Sequence, residues 1–344
     1  MSDKGTVHEE SNPQVPKPSK RARCARHCKR FWWVHLIIFC CITVLVVCLV
    51  IFVGVPKIAQ SKVNDAKLRI QGVNVLDTQP QSFTMEINST ISTDGSIKAK
   101  LDPFKGEMYL ADLGKDSTFA TVNLPKTNAN KHQSVNVSQH VNIADTKKFT
   151  TFNTWFVNNE TMRVSIDGHT KVKPSGLSRK SKVHFKKTVE MNGLNNLKGT
   201  TVPVDTAVLS LTTDEDGNNF KGVAKIPNAS VYTLDIGNIT YSNYVGDVKV
   251  GNMTINNVFL RPGSNTVQFT ASVNQARVVN LLQSDQYCKT QVIPFELVCE
   301  KVVNDGQELN YFRDALKYKR QVVDMEIGKI VEKTLGSSLG CGSS

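Results

Sequence analysis

The sequence lacks the compact motifs by which common enzymes and nucleotide-binding proteins are recognised. It contains no G-x-S-x-G, P-loop, G-x-G-x-x-G or C-x-x-C motif, and its seven histidines show no zinc-site spacing. Asp214, Asp216 and Asn218 resemble the start of a calcium loop, but Gly217 and Lys225 do not suit their places in it, which favours a solvated hairpin turn. We therefore predict no catalytic, cofactor-binding or metal-binding residues and a protein that is not an enzyme.

Charged residues are absent from a long segment near the N-terminus. No Asp, Glu, Lys or Arg lies between Arg30 and Lys57, and residues 31–55 are a continuous apolar run. As a helix this run would extend roughly 37 Å at about 1.5 Å per residue, enough to cross a hydrocarbon core of about 30 Å. No small-x-small cleavage site follows it, so we interpret it as one transmembrane helix and not as a cleaved signal peptide.

Basic residues are concentrated on the N-terminal side of this run. Six Lys and Arg residues lie within positions 20–30, whereas Lys57 and Lys62 are the first cations on the other side. The positive-inside rule predicts a type II signal-anchor, with residues 1–30 as a disordered cytosolic tail and the rest luminal or extracellular. The basic run can also attract anionic lipid, and a nucleic-acid partner is not predicted. Cys24 and Cys28, beside the membrane, are palmitoylation candidates.

Cysteine is scarce after the apolar run, where only three such residues remain. Cys288 and Cys299 flank a short apolar stretch and are a candidate disulfide in an oxidising lumen, with two buried free thiols as the alternative. Cys341 is left over. All six N-x-S/T sequons follow the apolar run, and we expect some to be glycosylated and others to be buried in strands; they are Asn88, Asn136, Asn159, Asn228, Asn238 and Asn252.

Apolar and polar residues alternate through most of the remaining chain, as in segments 83–87 and 267–273. Asp-Gly and Pro-Gly turns separate these segments, and many short strands at this spacing predict a mainly β fold with β-sandwiches. Helical spacing is found only near 327–335. The sequence around Asn88 parallels that around Asn228, which indicates a tandem duplication. We predict luminal domains at 56–195 and 196–336 and a flexible Gly/Ser tail at 337–344.

Three segments, 202–241, 256–267 and 304–317, resemble a family of fungal single-pass membrane proteins. Those proteins carry a domain of unknown function related to the group-two late-embryogenesis-abundant (water-stress and hypersensitive-response) domain. The segments Ile226–Ser230 and Leu260–Asn265 resemble that domain's Asn-Pro-Asn turn and its later Pro-Gly-Asn turn, respectively. The resemblance implies two tandem immunoglobulin/fibronectin-III-like sandwiches, no known catalysis and a vacuolar membrane location, with plasma membrane or endoplasmic reticulum as alternatives.

The anchor, the repeat and the missing catalytic motifs together predict a non-enzymatic binding or scaffold module tethered to a membrane, with unknown luminal protein partners. A second interpretation is the handling of lipid or another apolar ligand in a groove between sandwich sheets. A luminal hydrolase is a third and would need paired carboxylates on one face. The basic stretch 178–187 could contact anionic lipid, but we favour the interpretation that it is the solvated face of an edge strand, where lysines discourage aggregation.

Overall fold

The computed structural model describes residues 20–128, 130–176, 178–337 and 341, with side chains from residue 31 onward. Its contacts divide the chain into two compact units, residues 1–57 and residues 58–344. The predicted mainly β, sandwich-like arrangement of two sheets is confirmed.

The described part of the N-terminal unit, from Lys20 onward, is helical. Helix α1 (Lys20–Leu49), which is kinked at Phe31, is followed by a π-helical turn (Val50–Gly54) and by α2 (Val55–Asp65), whose residues from Ile58 onward belong to the second unit. In the described part of the chain, residues 31–65 form the one helical stretch long and apolar enough to cross a membrane, as a membrane anchor or a signal sequence would be. Where disorder was predicted for residues 1–30, residues 20–30 form the part of α1 before the kink, since Ala, Arg and Lys are good helix formers. Residues 1–19 lie outside the described residues.

In the described residues the larger sheet has eleven strands from both halves of the chain. The strands are β1 (Lys67–Leu76), β2 (Ser82–Ser92), β6 (His132–Asn142), β9 (Val208–Leu209), β10 (Phe220–Asn228), β11 (Tyr232–Val245), β12 (Val248–Leu260), β13 (Gly263–Val273), β14 (Ile293–Asn304), β15 (Gln307–Glu308) and β16 (Gln321–Met325). Their order is β6-β2-β1-β11-β12-β13-β10-β9, and β14 also pairs with β11, β15 and β16.

The smaller sheet has five strands in the described residues, all within the predicted first domain, residues 56–195. They are β3 (Ala99–Leu101), β4 (Phe104–Leu110), β5 (Ala120–Leu124), β7 (Thr161–Pro174) and β8 (Ser181–Asn192). Their order is β3-β7-β4-β5, with β8 on the other edge of β7.

The two predicted domains do not separate in the structure, because their strands share the larger sheet. The parallel pair β1–β11 makes this connection, with Val73 opposite Tyr232 and Val75 opposite Leu234. The predicted boundary at residues 195 and 196 falls in the 3-10 turn Asn195–Leu197. Pairing of the two strands removes two exposed edges, which would otherwise be open to aggregation.

Four helices complete the second unit. They are α3 (Thr146–Asn158), α4 (Gln275–Gln283), α5 (Asn310–Lys317) and α6 (Ile327–Leu335). The predicted C-terminal helix is confirmed by α6. Helix α3 was not predicted; Asp145 caps it by accepting from Lys148 N–H at 3.1 Å, and its Phe149 and Phe152 rings face the core. The Phe152 ring stacks on that of Phe119 at 4.0 Å.

The cysteine pairing differs from the candidate pair Cys288–Cys299, which is wrong. The structure joins Cys288 to Cys341, with their Cα atoms 5.0 Å apart, within the range that a disulfide requires. Cys299 is a free thiol with no exposed surface, since its side chain points into the core from β14, and burial raises its pKa to about 12. The predicted tail 337–344 is thus held at Cys341; residues 338–340 and 342–344 lie outside the described residues.

Candidate functional site

An apolar cavity of about 100 Å³ lies within the second half of the chain. Side chains from seven strands of the larger sheet (β9 to β14 and β16) reach it, so this part of the sheet must curl around the cavity. The cavity therefore lies inside one sheet and not in a groove between two. The strand residues around it include Phe220, Tyr241, Ile255, Phe269, Phe295 and Val323.

The alternation of the strands explains both the lining and the space. Every second residue of a strand faces the same side, so the apolar residues of each strand point inward together. Ala224 and Ala271 occupy two of these inward positions and are buried. Because an alanine side chain is a single methyl group, these two positions leave room that larger residues would fill.

Helices α4 and α6 close the cavity. Val278 of α4 and Ile327, Ile330 and Val331 of α6 line it and are buried. Lys333 connects α6 to the loop before β9, because its Nζ donates to the carbonyl oxygens of residues 204, 205 and 207 at 2.9–3.3 Å. The helix is thus positioned by hydrophobic contact on one face and by a lysine on the other.

Two buried amides interrupt the apolar lining. Asn243 and Gln321 are 4% and 3% exposed, and the side-chain oxygen of each has no hydrogen-bond partner within the described protein. The Gln321 amide orientation is set by its Nε2, which donates to the carbonyl oxygens of Leu316 at 2.6 Å and Lys319 at 2.9 Å. Its Oε1 therefore cannot exchange places with the nitrogen without losing both bonds.

Strand register places these two amides in one row. Asn243 of β11 lies opposite Leu297 of β14, and Leu297 lies opposite Gln321 of β16. Directly opposed residues point to the same face, with Cβ atoms about 5 Å apart. Asn243 and Gln321 therefore flank Leu297 at a separation of about 10 Å, and all three line the cavity.

A second polar cluster lies on the smaller sheet. The Asp167 carboxylate is 2% exposed and accepts from His184 Nε2 at 2.8 Å and Lys115 Nζ at 3.1 Å. Burial opposes its ionisation, but the bonds from His184 and Lys115 outweigh burial and lower the pKa of Asp167. The His169 ring stacks on that of His184 at 4.8 Å beside an open groove of about 650 Å³.

This cluster has the character of a structural ion pair. Both partners of Asp167 are cationic or can become so, and Ser165 Oγ, on the same strand, is hydrogen-bonded to Thr188 Oγ1 at 2.7 Å. Within the described residues, no group of three or more His, Cys, Asp or Glu side chains is placed to hold a metal ion.

The predicted sequons differ in their accessibility. Asn88, Asn136, Asn238 and Asn252 are exposed, and Asn159 is half-buried. Asn228 is 2% exposed, and its amide bonds the Tyr232 carbonyl at 2.8 Å and the Ser230 hydroxyl at 2.6 Å. Asn88 and Asn136 are directly opposed on β2 and β6. The palmitoylation candidates Cys24 and Cys28 belong to α1, but their side chains lie outside the described part of the structure.

Residues 117–243 match a protein family of unknown function, DUF3712. The matched segment contains strands of both predicted domains and ends at Asn243 in β11. It therefore covers the junction at which the two halves share a sheet. No curated protein matches the sequence.

Sequence reasoning missed Asn243 and Gln321, although a signal was present. In β11 the inward residues Ile239, Tyr241 and Val245 are apolar, and Asn243 is the polar exception in that phase. Gln321 is likewise the polar member of the inward series of β16, which continues with Val323 and Met325. This site is thus marked in the sequence by a polar residue at a strand position where the alternation predicts an inward-facing apolar one.

Proposed function

We propose that this chain is a non-enzymatic, membrane-anchored protein whose β unit binds an apolar ligand. The cavity of about 100 Å³ carries the proposal. Protein interiors are close-packed, and an apolar cavity of roughly 150 Å³ is large enough to bind benzene. The space in this protein is about two-thirds of that size, so it suits a narrow group such as the end of an acyl chain.

The membrane attachment is supported by the apolar helix and by the distribution of charge around it. We propose that the N-terminus is cytosolic and that the β unit lies on the luminal side. The Cys288–Cys341 disulfide supports this side, because disulfides persist in oxidising compartments. The resemblance to fungal late-embryogenesis-abundant-like proteins favours the vacuolar membrane.

Presentation of surfaces to luminal protein partners stays a prediction compatible with ligand binding. A hydrolase is less well supported, because the buried carboxylate of Asp167 is engaged by Lys115 and His184 and not by a second carboxylate.

Photo-crosslinking tests the ligand-binding proposal. The full chain in lipid nanodiscs would be labelled with a short aliphatic alcohol carrying a diazirine, and labelled peptides would be mapped by mass spectrometry. We expect label on the cavity strands β10–β14 and on α6. Ala271→Leu, which fills the cavity, should remove this label, whereas Ala229→Leu, the same change at an exposed position, should leave it intact. Label confined to residues 31–65 would refute the proposal.

A further inference from the structure

We infer that the cavity is built for a neutral apolar molecule that carries a hydroxyl or amide N–H group, and that the side-chain oxygen of Asn243 or of Gln321 accepts its hydrogen bond. This inference rests on the proposed function and specifies the chemical class of its ligand.

Two buried side-chain oxygens of the cavity lack a hydrogen-bond donor within the described protein. A buried acceptor without a donor destabilises the fold, and Asn243 and Gln321 each present one to the same cavity. Apolar residues at these positions would avoid that cost. A ligand with a hydrogen-bond donor would satisfy one of these oxygens, and its apolar part would occupy the rest of the space.

The cavity is lined by uncharged side chains. Among the residues that the structure describes, no Asp, Glu, Lys, Arg or His lines it. An ammonium group would have no carboxylate to pair with, and an ionised fatty acid would face two amide oxygens in place of a cation. Burial of an unpaired charge is far more costly than burial of a neutral hydroxyl. The lining therefore selects against ionised lipids and in favour of neutral ones.

Both amides are held on strands of the sheet. Asn243 of β11 and Gln321 of β16 flank Leu297 in one row, and both strands are hydrogen-bonded to β14, which lies between them. Acceptors on sheet strands are held more rigidly than acceptors on loops, and a rigid acceptor loses little entropy when it binds a donor. The same oxygens could be satisfied by a buried water, so the test has to distinguish a ligand hydroxyl from a water.

A matched pair of probes makes this distinction in the full chain. A diazirine-tagged alkanol and the corresponding fluoroalkane have nearly the same size and shape, but only the alkanol donates a hydrogen bond. Both would be applied to the chain in nanodiscs, and cavity labelling would be divided by the labelling of residues 31–65 to correct for partition into lipid. We expect the alkanol to label the cavity about tenfold more than the fluoroalkane, the ratio that one hydrogen bond provides.

Variants then assign the preference to its residues. Asn243→Leu or Gln321→Leu, whichever removes the acceptor of the bound alkanol, should reduce the alkanol-to-fluoroalkane ratio toward one while leaving the fluoroalkane signal in place. Asn158→Leu is the matched control, because Asn158 also has a buried, unpartnered Oδ1 but does not line this cavity. It should keep the wild-type ratio.

The outcomes separate the two proposals. Equal labelling by both probes, as expected if a water satisfies the amides, would overturn the donor inference and leave the apolar cavity as a binding site. Labelling by neither probe would overturn the proposed function itself. A preference for the alkanol that survives in both Asn243→Leu and Gln321→Leu would show that other residues recognise the donor and would also overturn the inference.

Discussion

The two amides of the cavity should respond to substitution by leucine with opposite changes in stability. Asn243 Oδ1 has no partner within the described protein, so Asn243→Leu removes a penalty of about 1–3 kcal/mol and replaces the amide with an apolar group of similar size. We expect the free energy of unfolding to rise by roughly that amount. For a unit of this size each kcal/mol corresponds to about 2–4 °C in the melting temperature.

Gln321→Leu removes the same kind of unpartnered oxygen, but it also removes the Nε2 donor that bonds the Leu316 and Lys319 carbonyl oxygens. Two carbonyls left without a donor cost about 1–3 kcal/mol each, against one such penalty relieved. We therefore expect a net loss of about 1–3 kcal/mol in the free energy of unfolding.

Thermal and urea unfolding of the full chain, followed by near-ultraviolet circular dichroism, would measure both changes under one condition. The reasoning would be refuted if Asn243→Leu destabilised the protein by more than about 1 kcal/mol, because its oxygen would then have a partner in the folded state. A stabilised variant with weakened ligand labelling would be a direct case of stability sacrificed for binding.

The remaining predictions concern features outside the cavity. Because the pKa of Asp167 is lowered in the folded state, its ionisation stabilises the fold at pH values above the unfolded pKa of about 3.9, and this stabilisation is lost as the pH falls through the lower folded pKa. Asp167→Asn should therefore lower the urea midpoint at pH 7 and make the midpoint decline less steeply in acid. An acid profile unchanged by this substitution would contradict the ion pair. Phe152→Ala should reduce the free energy of unfolding by about 3–5 kcal/mol, and a loss below 1 kcal/mol would contradict the aromatic contact of α3. Asn228 should stay unglycosylated in folded protein from a eukaryotic host, as peptide mapping would reveal, whereas the exposed sequons are available. A non-reducing peptide map should join Cys288 to Cys341, and a Cys288–Cys299 peptide would contradict the structure.

Features written in local sequence could be predicted, and long-range ones could not. The alternation in β2 and β13 and the helical spacing of α6 each lie within one short segment, and all three are confirmed. Helix α3 was missed because its Thr and aromatic residues favour strands, while its N-cap and its packing against α5 favour a helix.

The shared sheet and the disulfide depend on residues far apart in the chain. The parallel pairing of β1 with β11 joins segments about one domain length apart, and no local pattern marks it. The Cys288–Cys341 bond depends on where the fold places Cys341, whereas sequence proximity favoured Cys299. The cavity amides are an intermediate case. The sequence shows that each is a polar residue among the apolar, inward-facing residues of its strand, but it does not show that the pairing of β11, β14 and β16 places the two amides in one row.

The most direct measurement of the central claim is an experimental structure of the full chain, purified from its own membrane without added lipid. The account predicts elongated ligand density between β10–β14 and α6, with a polar ligand atom about 3 Å from Asn243 Oδ1 or Gln321 Oε1. A cavity closed by its own side chains, or one that contains only water, would contradict it.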